Sequence, residues 1–122
     1  MRTSALIVIL LMSTAPLAAH HNSIASDRTR AVTIEGVVES FLFANPHPEI
    51  RIRTDDGRVI TAEWSQMRSL SEEGITRDTL RPGDRIVVRA RPNKVRRDSV
   101  TELAEVRRPA DGWTWQSAGH RF

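Results

Sequence analysis

From Val32 to Phe43 the sequence reads VTIEGVVESFLF, and this run constrains the fold more than any other segment. Val32, Ile34, Gly36, Val38 and Leu42 share one face, with Thr33, Glu35 and Glu39 on the other. That is the two-residue period of a half-buried strand. A glycine inside such a run marks a bulge or a sharply bent strand. Asn45-Pro46-His47-Pro48 then breaks the chain, because two prolines cannot donate to a ladder. Ile50 and Ile52 alternate with Arg51 and Arg53 in a second strand, and Asp55-Asp56-Gly57-Arg58 forms a hairpin turn into a third through Val59, Ile60, Ala62 and Trp64.

Ser65 to Gly74 changes character. Ser65 is a candidate cap, Met67 and Leu70 share a helical face, and Gly74 is a C-terminal stop, which predicts one short helix. Arg81-Pro82-Gly83-Asp84 has proline and glycine where a type II turn wants them. Arg85 to Arg91 and Val100 to Val106 read as fourth and fifth strands, joined by the polar, basic loop Asn93 to Asp98. The predicted class is all-β with one short helix. Five strands, a long bent first one and a helix between the third and fourth give the order of a five-stranded OB-like antiparallel barrel. Closing the barrel also removes exposed edges. The barrel is expected over residues 32–108, followed by a tail, 109–122, whose Trp113 and Trp115 are the large aromatics expected to be most exposed. They either fold back to plug one barrel end or mark a partner surface.

Ahead of the barrel, Arg2, the apolar run Ala5 to Met12, and the break at Ser13, Thr14 and Pro16 have the form of a secretory signal peptide. The run is less than half the roughly 20 apolar residues a membrane span needs. Cleavage after Ala19 removes residues 1–19 and leaves His20-His21-Asn22-Ser23 as the start of an extended segment, residues 20–31. The expected location is the periplasm, with no stable membrane insertion after cleavage and a monomeric state. There is no cysteine among the 122 residues, so disulfides, thiolate zinc sites and a lipoprotein anchor are excluded. Charge is uneven: residues 77–108 carry ten Lys and Arg against five Asp and Glu, whereas residues 20–76 are acidic.

Catalytic signatures are missing. No Gly-x-Ser-x-Gly or glycine-rich phosphate loop occurs. His47-Pro48-Glu49 matches the first half of a zinc deaminase site, but the cysteine pair that completes it has no counterpart here. The expectation is a binding or accessory protein, not an enzyme. Two ligand chemistries stand open. Imidazole suits copper, zinc and nickel, and a free His20 offers an amine and a ring nitrogen that chelate together. An imidazole from His21 or His47 would complete the nitrogen set that Cu(II) favours, so His20, His21 and His47 are the candidate metal ligands and copper the candidate cofactor. Residues 20–31 span at most about 40 Å, enough to run back along the first strand towards His47. Alternatively, Arg51, Arg53, Arg89, Arg91, Arg96 and Arg97 form a surface for an anionic glycan or a protein partner; an exported location argues against nucleic acid.

Three segments in order carry a resemblance: His20-His21-Asn22-Ser23, Asn45-Pro46-His47, and Thr76-Arg77-Asp78-Thr79-Leu80-Arg81-Pro82-Gly83-Asp84. With them the chain resembles the bacterial family known as domain of unknown function 6152, small exported proteins with a His-His-Ser start. It departs from that pattern at Asn22, at Pro48 and at Phe43, where the family tends to have Trp. The resemblance implies export and the same fold, and it implies no chemistry.

Overall fold

A computed structural model of the chain describes residues 30–120 and residue 122. The expected signal peptide, and His20 and His21 with it, lie outside the described residues. The elements are β1 (Val32–Leu42), β2 (Glu49–Arg53), β3 (Val59–Glu63), α1 (Met67–Glu72), β4 (Arg85–Pro92), β5 (Ser99–Arg108) and β6 (Trp113–Gln116). The sheet order is β3-β2-β1-β4-β5-β6, and β3 also pairs with β5, so the first five strands close into the expected OB-like barrel. Closure is parallel: Thr61 faces Ser99 and Ala62 faces Val100. The other pairings are antiparallel.

β1 serves two neighbours. Its first half, Val32 to Val37, pairs with β4, and its second half, from Val37 on, pairs with β2. Gly36 sits where these halves meet. A Cβ there would stand 2.3 Å from the Arg53 carbonyl oxygen and 2.8 Å from Ile52 Cγ2. The glycine therefore permits a close strand crossing, but it is not the bulge. Val38 pairs with Ile52 and Ser40 with Arg51, so the extra residue is Glu39. One extra residue flips the side-chain phase. Beyond it Phe41 and Phe43 pack on the core, and Leu42, expected inside, is 59% exposed.

The core takes Ile50, Ile52, Ile60, Ile86, Val88 and Val106 from the inner faces of four strands, all fully buried. Leu70 enters it from α1. Ser65 does not cap that helix. The N-cap is Gln66 without a side-chain bond, and the Met67 N–H instead donates to the Pro46 carbonyl at 3.1 Å. At the other end Gly74 has φ +86°, and Ile75 N–H reaches back to the Leu70 carbonyl at 2.9 Å, the closure expected of a C-terminal glycine. In the turn before β4, Gly83 has φ +94° and Asp84 N–H donates to the Arg81 carbonyl at 3.0 Å, as a type II turn requires.

The tail contributes a strand instead of lying free. β6 pairs along β5, with Trp115 opposite Val106. Trp115 is 7% exposed and belongs to the core, so its ring is not among the exposed aromatics, and of the two alternatives the tail that folds back onto the barrel is the one observed. Trp115 meets Trp64 edge-on at 5.1 Å and donates its indole N–H to Glu73 Oε2 at 2.6 Å. Trp113 is half-buried beneath the Arg108 guanidinium, 5.5 Å from its ring. Arg108 also donates to the Thr79 carbonyl at 2.7 Å and to Asp84 at 3.0 Å. Among the described residues no helix is long and apolar enough to cross a membrane.

Candidate functional site

His47 is held from both sides. Pro46 accepts from Met67 N–H at 3.1 Å and Pro48 accepts from Trp64 N–H at 2.8 Å. Two carbonyls that proline leaves free to bond thus tie the Asn-Pro-His-Pro loop to the link between β3 and α1. His47 lines a cleft of about 140 Å³ together with Glu63, Trp64, Ser65, Glu102 and His120. His47 Nδ1 and Trp64 Nε1 are both buried and have no hydrogen-bond partner among the described residues. Leaving a buried polar nitrogen unpaired costs about 1–3 kcal/mol. The two nitrogens differ in what they ask for: the imidazole can accept or donate, while the indole can only donate.

Glu102 reaches the cleft from an irregular stretch of β5. β4 and β5 pair at Arg89–Glu105 and again at Arg91–Thr101, so the register shifts between them. Glu102 there has φ +50°, in the left-handed region that costs a non-glycine residue about 1–3 kcal/mol. Its carboxylate pairs with Arg91 Nε at 3.4 Å, and the Arg91 guanidinium lies 4.6 Å from the Phe122 ring centroid. Phe122 in turn stacks on His120 at 6.3 Å. This chain of contacts folds the C-terminal residues back and delivers His120 to the cleft. Sequence reasoning passed over His120 because its only local signal is a polar tail.

A cleft of 140 Å³ has room for an ion with a few waters, each water taking about 30 Å³. Two imidazoles and two carboxylates are donors of the right type for a transition metal. Among the described residues, however, no three His, Asp or Glu side chains stand close enough together to hold one ion. The cleft offers part of a ligand set.

The six arginines of the alternative site do not form one surface. Arg51, Arg96 and Arg97 line a groove of about 320 Å³ beside β3. Arg53 donates to Glu39, which also pairs with Arg51 at 3.6 Å. The Arg53 hydrogen bond is the main reason the Glu39 carboxyl titrates below its usual range. Arg91 is committed to Glu102 and Phe122, and Arg89 lines a separate cavity of about 370 Å³ under the tail, which His120 also borders.

A family model described as Family of unknown function (DUF6152) matches residues 8–102. No curated protein and no solved structure matches the chain.

Proposed function

The chain belongs to this family of unknown function, and from that premise we propose that it is an exported accessory protein that binds copper and catalyses no reaction. The observation that carries the reading is the buried, partnerless Nδ1 of His47, a residue whose backbone is anchored on both sides and which lines a cleft shared with His120 and two carboxylates. A Cu(II) ion gives that nitrogen a partner. The described residues supply too few donors alone, and the remainder come from the processed N-terminus: the His20 amine, its imidazole, or the His21 imidazole. The α-amino group has a pKa near 8, so a metal displaces its proton at modest cost. The Trp64 N–H suits an oxygen of bound water in the same cleft, since it can only donate. Location in the periplasm belongs to the same proposal, because only removal of residues 1–19 frees the His20 amine.

The test is a Cu(II) titration of protein beginning at His20, beside protein carrying one additional residue before His20. The authentic form should bind one ion. The extended form keeps every side chain but moves the amine out of chelating reach, and its affinity should fall roughly tenfold or more, since even groups behind the ligands are worth that much. Equal affinities for the two forms would remove the N-terminus from the site.

A further inference from the structure

The groove beside β3 has a construction of its own, independent of the histidine cleft. Arg51 on β2 pairs with Thr61 on β3, and Thr61 pairs with Ser99 on β5. Residues paired in this way point to the same face of a sheet, so guanidinium, threonine hydroxyl and serine hydroxyl form one row across three strands on the outer face. The Asn93 to Asp98 loop arches over the end of that row. Its shape is fixed from within, because Asn93 Oδ1 accepts from the N–H groups of Val95 and Arg96 at 2.9 and 3.0 Å. The Asp98 carbonyl accepts from Thr61 N–H at 3.0 Å and pins the loop to β3. Arg51, Thr61, Arg96, Arg97, Asp98 and Ser99 line the groove that results, with Val59 alongside.

Ser99 is the feature that points to a ligand. It is on the outer face and yet 2% exposed, and its hydroxyl has no hydrogen-bond partner among the described residues. Valine or alanine would suit a buried strand position without that cost. The guanidiniums around it are available. Arg51 and Arg96 pair with Glu39 and Glu49 at 3.6 Å in each case, and both arginine side chains are 54% exposed. Exposed ion pairs of that length are worth little and swing aside readily. No described carboxylate pairs with Arg97. Asp98 is the one described carboxylate that lines the groove itself, beside three guanidiniums.

We propose that this groove binds an oxyanion group, the carboxylate, sulfate or phosphate of an anionic sugar chain or of a free ion. Arg97 and Arg51 grip it and Ser99 donates from the floor. Planar guanidiniums match the two oxygens of such a group, and 320 Å³ lies at the small end of ligand pockets. The row on β2 and β3 together with the β4–β5 loop explains why sequence alone scattered the site: Arg53, Arg89 and Arg91 share its charge and not its place.

Two probes test this in buffer with a metal chelator, so that the result stands apart from the copper proposal: inorganic phosphate, and a tetrasaccharide of galacturonic acid. Binding is followed by backbone amide shifts of Thr61, Arg97 and Ser99. Either probe should bind and weaken as salt shortens the screening length from about 10 Å towards 3 Å. Arg97→Gln should lower the affinity about tenfold, the loss of one charge-assisted grip, while Arg89→Gln, outside the groove, should leave it unchanged. Ser99→Ala should lower affinity and raise Tm, the combination a hydroxyl kept for a ligand produces and a merely structural hydroxyl does not. Tighter binding of the tetrasaccharide assigns the oxyanion to a sugar chain, and equal binding assigns it to the free ion. Absence of binding by both probes, or equal loss with Arg89→Gln and Arg97→Gln, overturns the proposal.

Discussion

Gly36→Ala tests the closed barrel at its tightest crossing. The added methyl would stand 2.3 Å from the Arg53 carbonyl oxygen and 2.8 Å from the Arg53 carbonyl carbon, and side-chain carbons do not sit within 3.0 Å of such neighbours. The obstacle is backbone, so no rotamer change relieves it, and β1 must part from β2 where Val37 pairs with Arg53. Overpacking costs about 1–3 kcal/mol, and weakening one or two ladder bonds adds about 0.5–1.5 kcal/mol for each. The gain from replacing glycine in a strand offsets about 0.5–1 kcal/mol. The middle of these ranges gives a net destabilisation of about 2–3 kcal/mol, which lowers Tm by roughly 10–20 °C in a domain of this size. Tryptophan fluorescence reports the melt, because Trp64 and Trp115 meet inside the fold. Gly57→Ala is the comparison. Gly57 has φ +84° but open space around it, so it carries only the left-handed cost of about 1 kcal/mol. A Gly36→Ala protein that melts within a degree or two of the wild type, or above Gly57→Ala, would refute the crossing.

Gly83→Val should cost about 1–3 kcal/mol through the left-handed backbone alone, since nothing lies within 4 Å of its Cβ direction; an unchanged thermal melt contradicts this. Trp115→Ala should cost about 3–5 kcal/mol, because it empties the space beside Trp64 and strips Glu73 of its indole donor. A loss below 1 kcal/mol in a urea titration would return the tail to a surface role. The Arg108 hydrogen bond is the main cause that holds the Asp111 carboxyl below its usual value of 3.8, and the Thr54 hydroxyl acts in the same way on Asp56. Folded values below unfolded ones mean that this stabilisation is present above about pH 4 and is lost as pH falls through the lower folded values. Melts between pH 7 and pH 2 should therefore lose stability mainly below pH 4, and less so in Asp111→Asn than in the wild type.

Much of the barrel is legible in the chain, and the misses have local causes. Alternation from Val32 to Val38 reads correctly because the register there is unbroken. One inserted residue at Glu39 then inverts the pattern, and a run of apolar residues such as Phe41, Leu42 and Phe43 gives no hint of the change. The turn at Pro82-Gly83 and the stop at Gly74 are legible because a positive φ selects glycine. β6 is four residues long and lies between glycine-bearing segments, too short to show a period. Sites depend on longer reach. His47 could be picked out by residue type, whereas the presence of His120 at the same cleft goes with the stacking of Phe122 on Arg91 and on His120. The arginines were legible as charge, and their division into a groove and a set of ion pairs follows from the pairing of three strands.

The copper proposal turns on His47, and nitrogen coupling in the Cu(II) electron paramagnetic resonance spectrum tests it most directly. Protein beginning at His20, loaded with one equivalent of Cu(II), should show coupling to imidazole and amine nitrogens. His47→Ala should lose the coupling of one nitrogen and bind more weakly, with its Tm in the absence of metal unchanged or higher, because a buried nitrogen without a partner has been removed. An identical spectrum and affinity for His47→Ala would contradict the account, leaving the ion on the N-terminal histidines alone and the cleft without a metal.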